Sequence, residues 1–190
     1  FESKINILQI KNYFFEYVRE SFNKVQFKPF NCILFISEPT EKLAIKKFGD
    51  KNGFGFTEYT VMSEIIKTFN DIIIRLHPSD NENKYDDMIS HYPNKNIRIV
   101  KPYEEELVET LSKSKLTIGF DGMALFLSHI LGIKTISYMP NSSRELNIPM
   151  SNIYKVDSLK NINKINFTTQ NTQDLDLNSI LFDEGIECIH

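Results

Sequence analysis

Residues 115–140, KLTIGFDGMALFLSHILGIKTISYMP, leave a chain few folds to choose from. Positions 116–120 are short, apolar and end at a turn signal, while positions 123–131 are apolar on nearly every side, as in a helix covered on two faces. Gly132 stops that helix, and 135–139 form a second β-rich run closed by Pro140. Two strands joined by such a helix run parallel, with a right-handed crossover. A ligand of such a sheet sits where the carboxyl end of a strand meets the next helix, because backbone N–H groups and the helix dipole converge there. That corner is 119–124.

The same alternation runs through the rest of the chain. Residues 3–24 carry Ile7, Leu8, Ile10, Phe14, Phe15, Tyr17, Val18 and Phe22 at helical spacing with no Pro or Gly between them. They predict a long helix whose wide aromatic face packs on the domain's own core or, as the sharper reading, on a missing amino-terminal domain or a second copy. A strand over 32–36 stops at Ser37, Glu38 and Pro39. Residues 40–56 read as a long connection that closes on Gly53 and Gly55, which fit a hinge or a close approach and not the three-glycine dinucleotide fingerprint. Thr57 caps a helix with Glu58 in its first turn and a core stripe of Val61, Met62, Ile65, Ile66 and Phe69.

A strand over 72–76 then delivers His77 and Pro78 at its carboxyl end. Residues 84–90 predict a short polar helix and 96–100 a strand, after which Pro102 opens a helix that places Glu104, Glu105 and Glu106 in its positive first turn. Past Pro140 the signal thins to an edge strand over 153–156, a weak helix over 159–165 and a polar tail. The organisation expected is a helical segment over 1–30, a domain over 31–165, and a tail over 166–190 with a docking helix. The class is α/β: a Rossmann-like open parallel sheet of five or six strands with helices on both faces.

With 41% hydrophobic residues, 190 residues bury one substantial core and not two. A net charge of −3 gives no field for a polyphosphate backbone, so no nucleic acid is expected as partner. No apolar run reaches the roughly 20 residues that cross a bilayer, and the first residues lack a signal pattern. The expected place is the cytoplasm, with membrane association only through partners. Cys32 and Cys188 have no metal spacing and read as ordinary thiols, and the sequon at 166–168 is one by spelling only. A first residue of Phe1 in place of Met suggests a piece of a longer protein.

Parallel strands gather their carboxyl ends on one rim. There the sequence puts Ser37 and Glu38, His77 and Pro78, Lys101 and Pro102, Asp121 and Gly122, and Tyr138 to Pro140. The N–H groups of Gly122, Met123 and Ala124 suit a phosphate, and His77 adds a donor to the same group. The plainer reading makes Asp121 an N-cap that takes those N–H groups for itself, and His77–Pro78 a strand end with a chain-turning proline.

These residues resemble the carboxyl-terminal, nucleotide-binding half of bacterial glycosyltransferases of the two-Rossmann-domain type. The groups most similar are the sialyltransferases, polysialyltransferases and capsule-polysaccharide transferases with a strand ending in His-Pro. The resemblance covers about 32–140 and is carried by Arg75-Leu76-His77-Pro78, Val100-Lys101-Pro102, 118–124 and 132–138. It implies a nucleotide-sugar donor, with a sialic-acid-like sugar on CMP foremost. His77 and the turn at 121–124 would hold its phosphate, with Ser37, Glu38, Arg75, Pro78 and Pro102 around it.

The same resemblance implies a glycan or glycoconjugate acceptor, no metal and no cofactor beyond the substrate. The chain departs from the pattern at Asp121 and Gly122, where Ser or Thr is usual, and at Ser128, where many related enzymes place a ribose-binding Glu. The general base of such enzymes comes from the other half, so catalytic residues stay unassigned. Two alternatives stand beside the transferase: a nucleotide-binding or assembly module without catalysis, and a sugar-nucleotide 2-epimerase-like enzyme.

Overall fold

A computed structural model of the chain describes residues 13–25, 32–142 and 153–164. The helical turns expected over 3–12, Cys188, the sequon and the tail over 166–190 lie outside the described residues. The elements run α1 (Tyr13–Lys24), β1 (Cys32–Ile36), α2 (Thr40–Phe48), α3 (Glu58–Thr68), β2 (Asp71–Arg75), α4 (Asp86–Ser90) and β3 (Asn96–Val100). Then come α5 (Leu107–Ser112), β4 (Ser114–Gly119), α6 (Met123–Ile130), β5 (Thr135–Tyr138), β6 (Tyr154–Val156) and a 3-10 helix, Leu159–Lys164.

Six strands form one sheet in the order β3-β2-β1-β4-β5-β6, and every pair is parallel. The chain begins at the centre, steps outward to β3, and crosses back over β1 to start the second half at β4. This is the doubly wound order, whose crevice lies between the first strand and the one across the reversal. The parallel α/β sheet expected from the sequence is what forms.

All five residues of β1 are buried because the strand is covered on both faces. Ile33 and Phe35 point into a core with Val61, Met62, Ile65 and Ile66 of α3 and Met88 of α4. Leu34 and Ile36 point the other way, toward Ile73, Val100 and Leu111. On that side Phe15 and Val18 of α1 pack with Leu125, Phe126 and Ile130 of α6, and the rings of Phe15 and Phe126 meet edge to face at 5.7 Å. Tyr13 and Tyr17 of α1 stay exposed. Cys32 is a buried free thiol that donates to the Lys113 carbonyl at 3.2 Å.

Two expectations need correction. Residues 40–56 are not a plain connection, since α2 occupies their first half. Its buried stripe is only Thr40 and Ala44, too thin to register as periodicity, yet its ends are well marked. Glu41 lies in the first turn, Lys46 and Lys47 in the last, and Gly49 closes it in the left-handed conformation with its N–H on Ile45 O. The second correction concerns 102–106. Tyr103 takes a positive φ of 65° and interrupts the backbone, so α5 starts at Leu107 and Glu104 and Glu105 precede it. Glu104 accepts the Lys101 N–H at 2.9 Å, and Glu105 pairs with Arg98 and Lys113.

Gly55 is a true close approach. Its φ is +88°, and a Cβ there would lie 2.6 Å from the Asn141 carbonyl oxygen. Gly55→Ala is expected to cost about 1–2 kcal/mol from strain and the clash together. Chemical denaturation of the two proteins checks it; an unchanged midpoint would mean that the 49–56 turn relaxes freely.

Candidate functional site

A cavity of about 820 Å³ opens at the carboxyl ends of β1, β2 and β4, the point where the strand order reverses. Ser37, Glu38, Arg75, His77, Pro78, Pro102, Gly122, Met123 and Ala124 line it. Parallel pairing brings them together: Ile36 stands beside Arg75 in register, and Arg75 beside Val100, so the three loops that follow leave the sheet side by side. Asp121, Lys101 and Tyr138 to Pro140 are expected on the rim and lie outside the lining. Asp121 is buried, and the N-cap position of α6 belongs to Gly122, with no side-chain cap.

The amide that the sequence offered to a phosphate has a carboxylate on it. Gly122 N–H donates to Glu38 Oε1 at 2.9 Å, so Glu38 from the end of β1 occupies the positive end of α6. Only glycine permits this approach, since a Cβ at 122 would lie 2.7 Å from the same oxygen. The lining also carries Glu104, Glu105, Glu106 and Glu109, against the single guanidinium of Arg75. Arg75 donates to Thr110 Oγ1 at 2.6 Å, and burial lowers its pKa against the pull of Glu105 and Glu106.

His77 has a defined tautomer. Its Nδ1 accepts the Ser79 N–H at 3.1 Å and lies 2.8 Å from Ser79 Oγ, which leaves Nε2 to carry the proton as a donor. Lys101, expected on the same rim, pairs with Glu82 at 2.9 Å instead. Tyr138 turns to Glu64, donating its hydroxyl to Oε2, and burial together with that carboxylate pushes its pKa up. Ser128, where a ribose-binding Glu was the pattern, is fully buried, donating to Thr117 Oγ1 at 2.7 Å with Thr135 Oγ1 at 3.0 Å. It fastens α6 to β4 and β5 and takes no part in the cavity.

Sequence reasoning missed the polar network beneath the cavity floor. Lys84 Nζ lies 2.6 Å from Glu58 Oε2 and 2.8 Å from Asp80 Oδ1, and both carboxylate side chains are only 2% exposed. Ser37 Oγ donates to Asp80 Oδ2 at 2.6 Å, receives Lys84 Nζ at 2.9 Å, and has the Tyr85 hydroxyl at 3.0 Å. The same two carboxylates also hold backbone: Glu58 Oε1 takes the Glu38 N–H at 2.8 Å and Asp80 Oδ2 the His77 N–H at 3.0 Å.

The network thus fixes the loops after β1 and β2 that present Glu38 and His77. Burial pushes the Glu58 carboxyl up, partly offset by Lys84. Burial would also raise Asp80, but the hydrogen bonds from Lys84 and Ser37 outweigh it and hold that carboxyl low. Burial, with Glu58 near, raises the Tyr85 hydroxyl far above its ordinary value. The i, i+4 spacing of Asp80 and Lys84 gave no usable signal, since the two stand in the turn before α4 and not on a helix.

Fold and cavity together define a Rossmann-like α/β domain with an acid-lined crevice at its topological switch point. No family model, curated protein or solved structure matches the chain. Among the described residues no helix is long and apolar enough to cross a membrane, and no three His, Cys, Asp or Glu side chains group as metal ligands would.

Proposed function

We propose that this domain binds a nucleotide sugar and is the donor-binding half of a glycosyltransferase acting in bacterial surface polysaccharide or glycoconjugate synthesis. The observation that carries the reading is the sharing of one switch-point cavity by His77, Arg75 and the opening turn of α6. Nε2–H of His77 and the guanidinium are donors for a diphosphate or monophosphate. The carboxylates accept from ribose and sugar hydroxyls, and Pro78, Pro102 and the ring of Tyr103, 90% exposed, supply flat apolar surface for a base. On this reading the Glu38 carboxylate and the phosphate share one position at Gly122 N–H, and Glu38 turns to a ligand hydroxyl when the phosphate arrives. No residue is assigned as general base, in keeping with an acceptor-side partner domain that would supply it.

Calorimetric titration with CMP, UDP, GDP and their sugar conjugates tests the reading, a CMP-linked sialic acid being the first donor to try. Binding by at least one nucleotide sugar is the expected result, and His77→Ala is expected to weaken it more than tenfold, about 1.4 kcal/mol, with the melting temperature unchanged. Unaltered affinity would remove His77 from the site. A second reading, a binding or assembly module without catalysis, is favoured by one observation, the Glu38 carboxylate on the Gly122 N–H. Nucleotide binding without transfer in the presence of an amino-terminal half would decide for it.

A further inference from the structure

Arg75 is the last residue of β2 and lines the large cavity beside the carboxylates of Glu104, Glu105, Glu106 and Glu109. Its guanidinium nevertheless makes no ion pair among the described residues. One hydrogen bond holds it, from Nη1 to Thr110 Oγ1 at 2.6 Å. Nε and Nη2, the other edge of the fork, have no partner among the described residues.

Thr110 is fully buried on α5. Its hydroxyl proton goes to the Glu106 carbonyl at 3.3 Å or to the Glu105 carboxylate, so toward Arg75 its oxygen is the acceptor, the only role a guanidinium leaves open. Two carboxylates act on Arg75 by their charge, Glu105 and Glu106. Glu105 is held by Arg98 and Lys113, each at 2.8 Å. Glu106 has no ion pair among the described residues and stands one turn before Thr110, whose N–H donates to its carbonyl at 3.1 Å. A half-buried guanidinium next to a spare carboxylate would ordinarily close on it in a two-pronged pair. The Thr110 hydroxyl holds it off.

We infer that Thr110 is a positioning residue: it keeps the Arg75 fork turned from Glu106 and open to the cavity, where Nε and Nη2 take an oxyanion of the ligand in a bidentate grip. The inference rests on the nucleotide-sugar reading for its choice of ligand. Such a molecule holds two sources of the oxyanion, the nucleotide phosphate and the carboxylate of a sugar acid. Lysine at this place would supply the charge without the fork.

Titration calorimetry of inorganic phosphate, CMP, UDP, GDP and CMP-linked sialic acid into the full chain tests this in a cycle of Thr110→Val with Glu106→Gln. Thr110→Val keeps the shape of the side chain and removes the acceptor. It is expected to weaken at least one of these ligands fivefold or more in the wild-type background and less than twofold in the Glu106→Gln background, where no spare carboxylate draws the released guanidinium away. A disturbed fold would lower affinity equally in both backgrounds. That result, or an unchanged affinity in Thr110→Val, overturns the assignment while the nucleotide-sugar reading stands. A loss shared by inorganic phosphate and the bare nucleotides supports the grip with phosphate as its anion, and a loss confined to CMP-linked sialic acid supports it with the sugar carboxylate. If inorganic phosphate alone binds and shows the expected pattern, the anion grip stands and the nucleotide-sugar reading falls; if nothing binds, both fall. Should Thr110→Val not fold, Arg75→Lys decides: a tenfold loss supports the bidentate grip, and a smaller one overturns it.

Discussion

Replacing Lys84 by methionine is expected to destabilise the domain by about 3 kcal/mol, the scale on which a buried ion pair is lost when one partner is removed. Among the described residues Lys84 is the only cation paired with these two carboxylates, each 2% exposed, and methionine keeps the volume of its stem while removing the charge. The loss is a large share of the roughly 5–15 kcal/mol that holds an ordinary domain folded, and should lower the melting temperature by roughly 6–12 °C. Adding Glu58→Gln should restore at least half of it, because the uncompensated carboxylate then goes.

The pH dependence of the wild type follows from the two shifts. Glu58 is raised in the fold, so its ionised form opposes folding at neutral pH and stability grows as pH falls through its raised value. Asp80 is lowered, so it contributes stability above its unfolded value that is lost as pH falls through its folded one. A stability maximum on the weakly acidic side of neutral is expected, and the gap between Lys84→Met and wild type should narrow steadily as pH falls and be smallest at the acid end of the range. Thermal melts across pH 4–8 measure both effects. A variant that melts with the wild type at pH 7.5 would show that water reaches Glu58 and Asp80 freely, and the network would then be no anchor for His77.

What the sequence made legible divides along a physical line. The strands Cys32–Ile36 and Asn96–Val100 stand at the residues expected, and α6 begins at Met123 as expected, because continuous apolar runs between turn signals leave little else to form. The helix α2 was hidden because two small contacts, Thr40 and Ala44, are all it buries. Glu104 and Glu105 imitate a helix's first turn, and only the left-handed Tyr103 and the distant cations Arg98 and Lys113 say otherwise.

In the site, parallel topology alone predicts that strand ends meet, so the residues at those ends could be named before the fold was known, whereas the carboxylate wall of Glu104, Glu105, Glu106 and Glu109 could not. Nor could pairings across the chain. Glu38 reaches Gly122 over 84 positions and Ser37 reaches Lys84 over 47, distances at which local pattern carries no information. Such contacts depend on how far a side chain extends once the backbone is in place, and they decide whether a helix end is open to a ligand.

That last point makes Glu38 the most informative position in the cavity. Glu38→Ala is expected to raise affinity for a nucleotide phosphate at least thirtyfold, about 2 kcal/mol. The Glu38 carboxylate and an incoming phosphate compete for one amide at the positive end of α6. Two anions held about 4 Å apart near a protein surface repel by roughly 4 kcal/mol at an effective dielectric of 20, and swinging the side chain aside recovers only part of that.

Folding should change little, because the Glu38 carboxylate sits at the rim of a cavity where water can take its place on the Gly122 N–H. Glu38→Gln separates charge from hydrogen bonding: it keeps an oxygen for Gly122 N–H, and should recover most of the gain if repulsion dominates. Titration of inorganic phosphate and of a nucleotide into the three proteins gives the answer directly. Equal affinities throughout would mean that the phosphate does not approach α6 at all, leaving His77 and Arg75 without the convergence on which the nucleotide-sugar reading depends. A loss of nucleotide affinity in Glu38→Ala with no change for inorganic phosphate would give Glu38 the opposite role, an acceptor for ribose or sugar hydroxyls, with the anion bound elsewhere in the cavity.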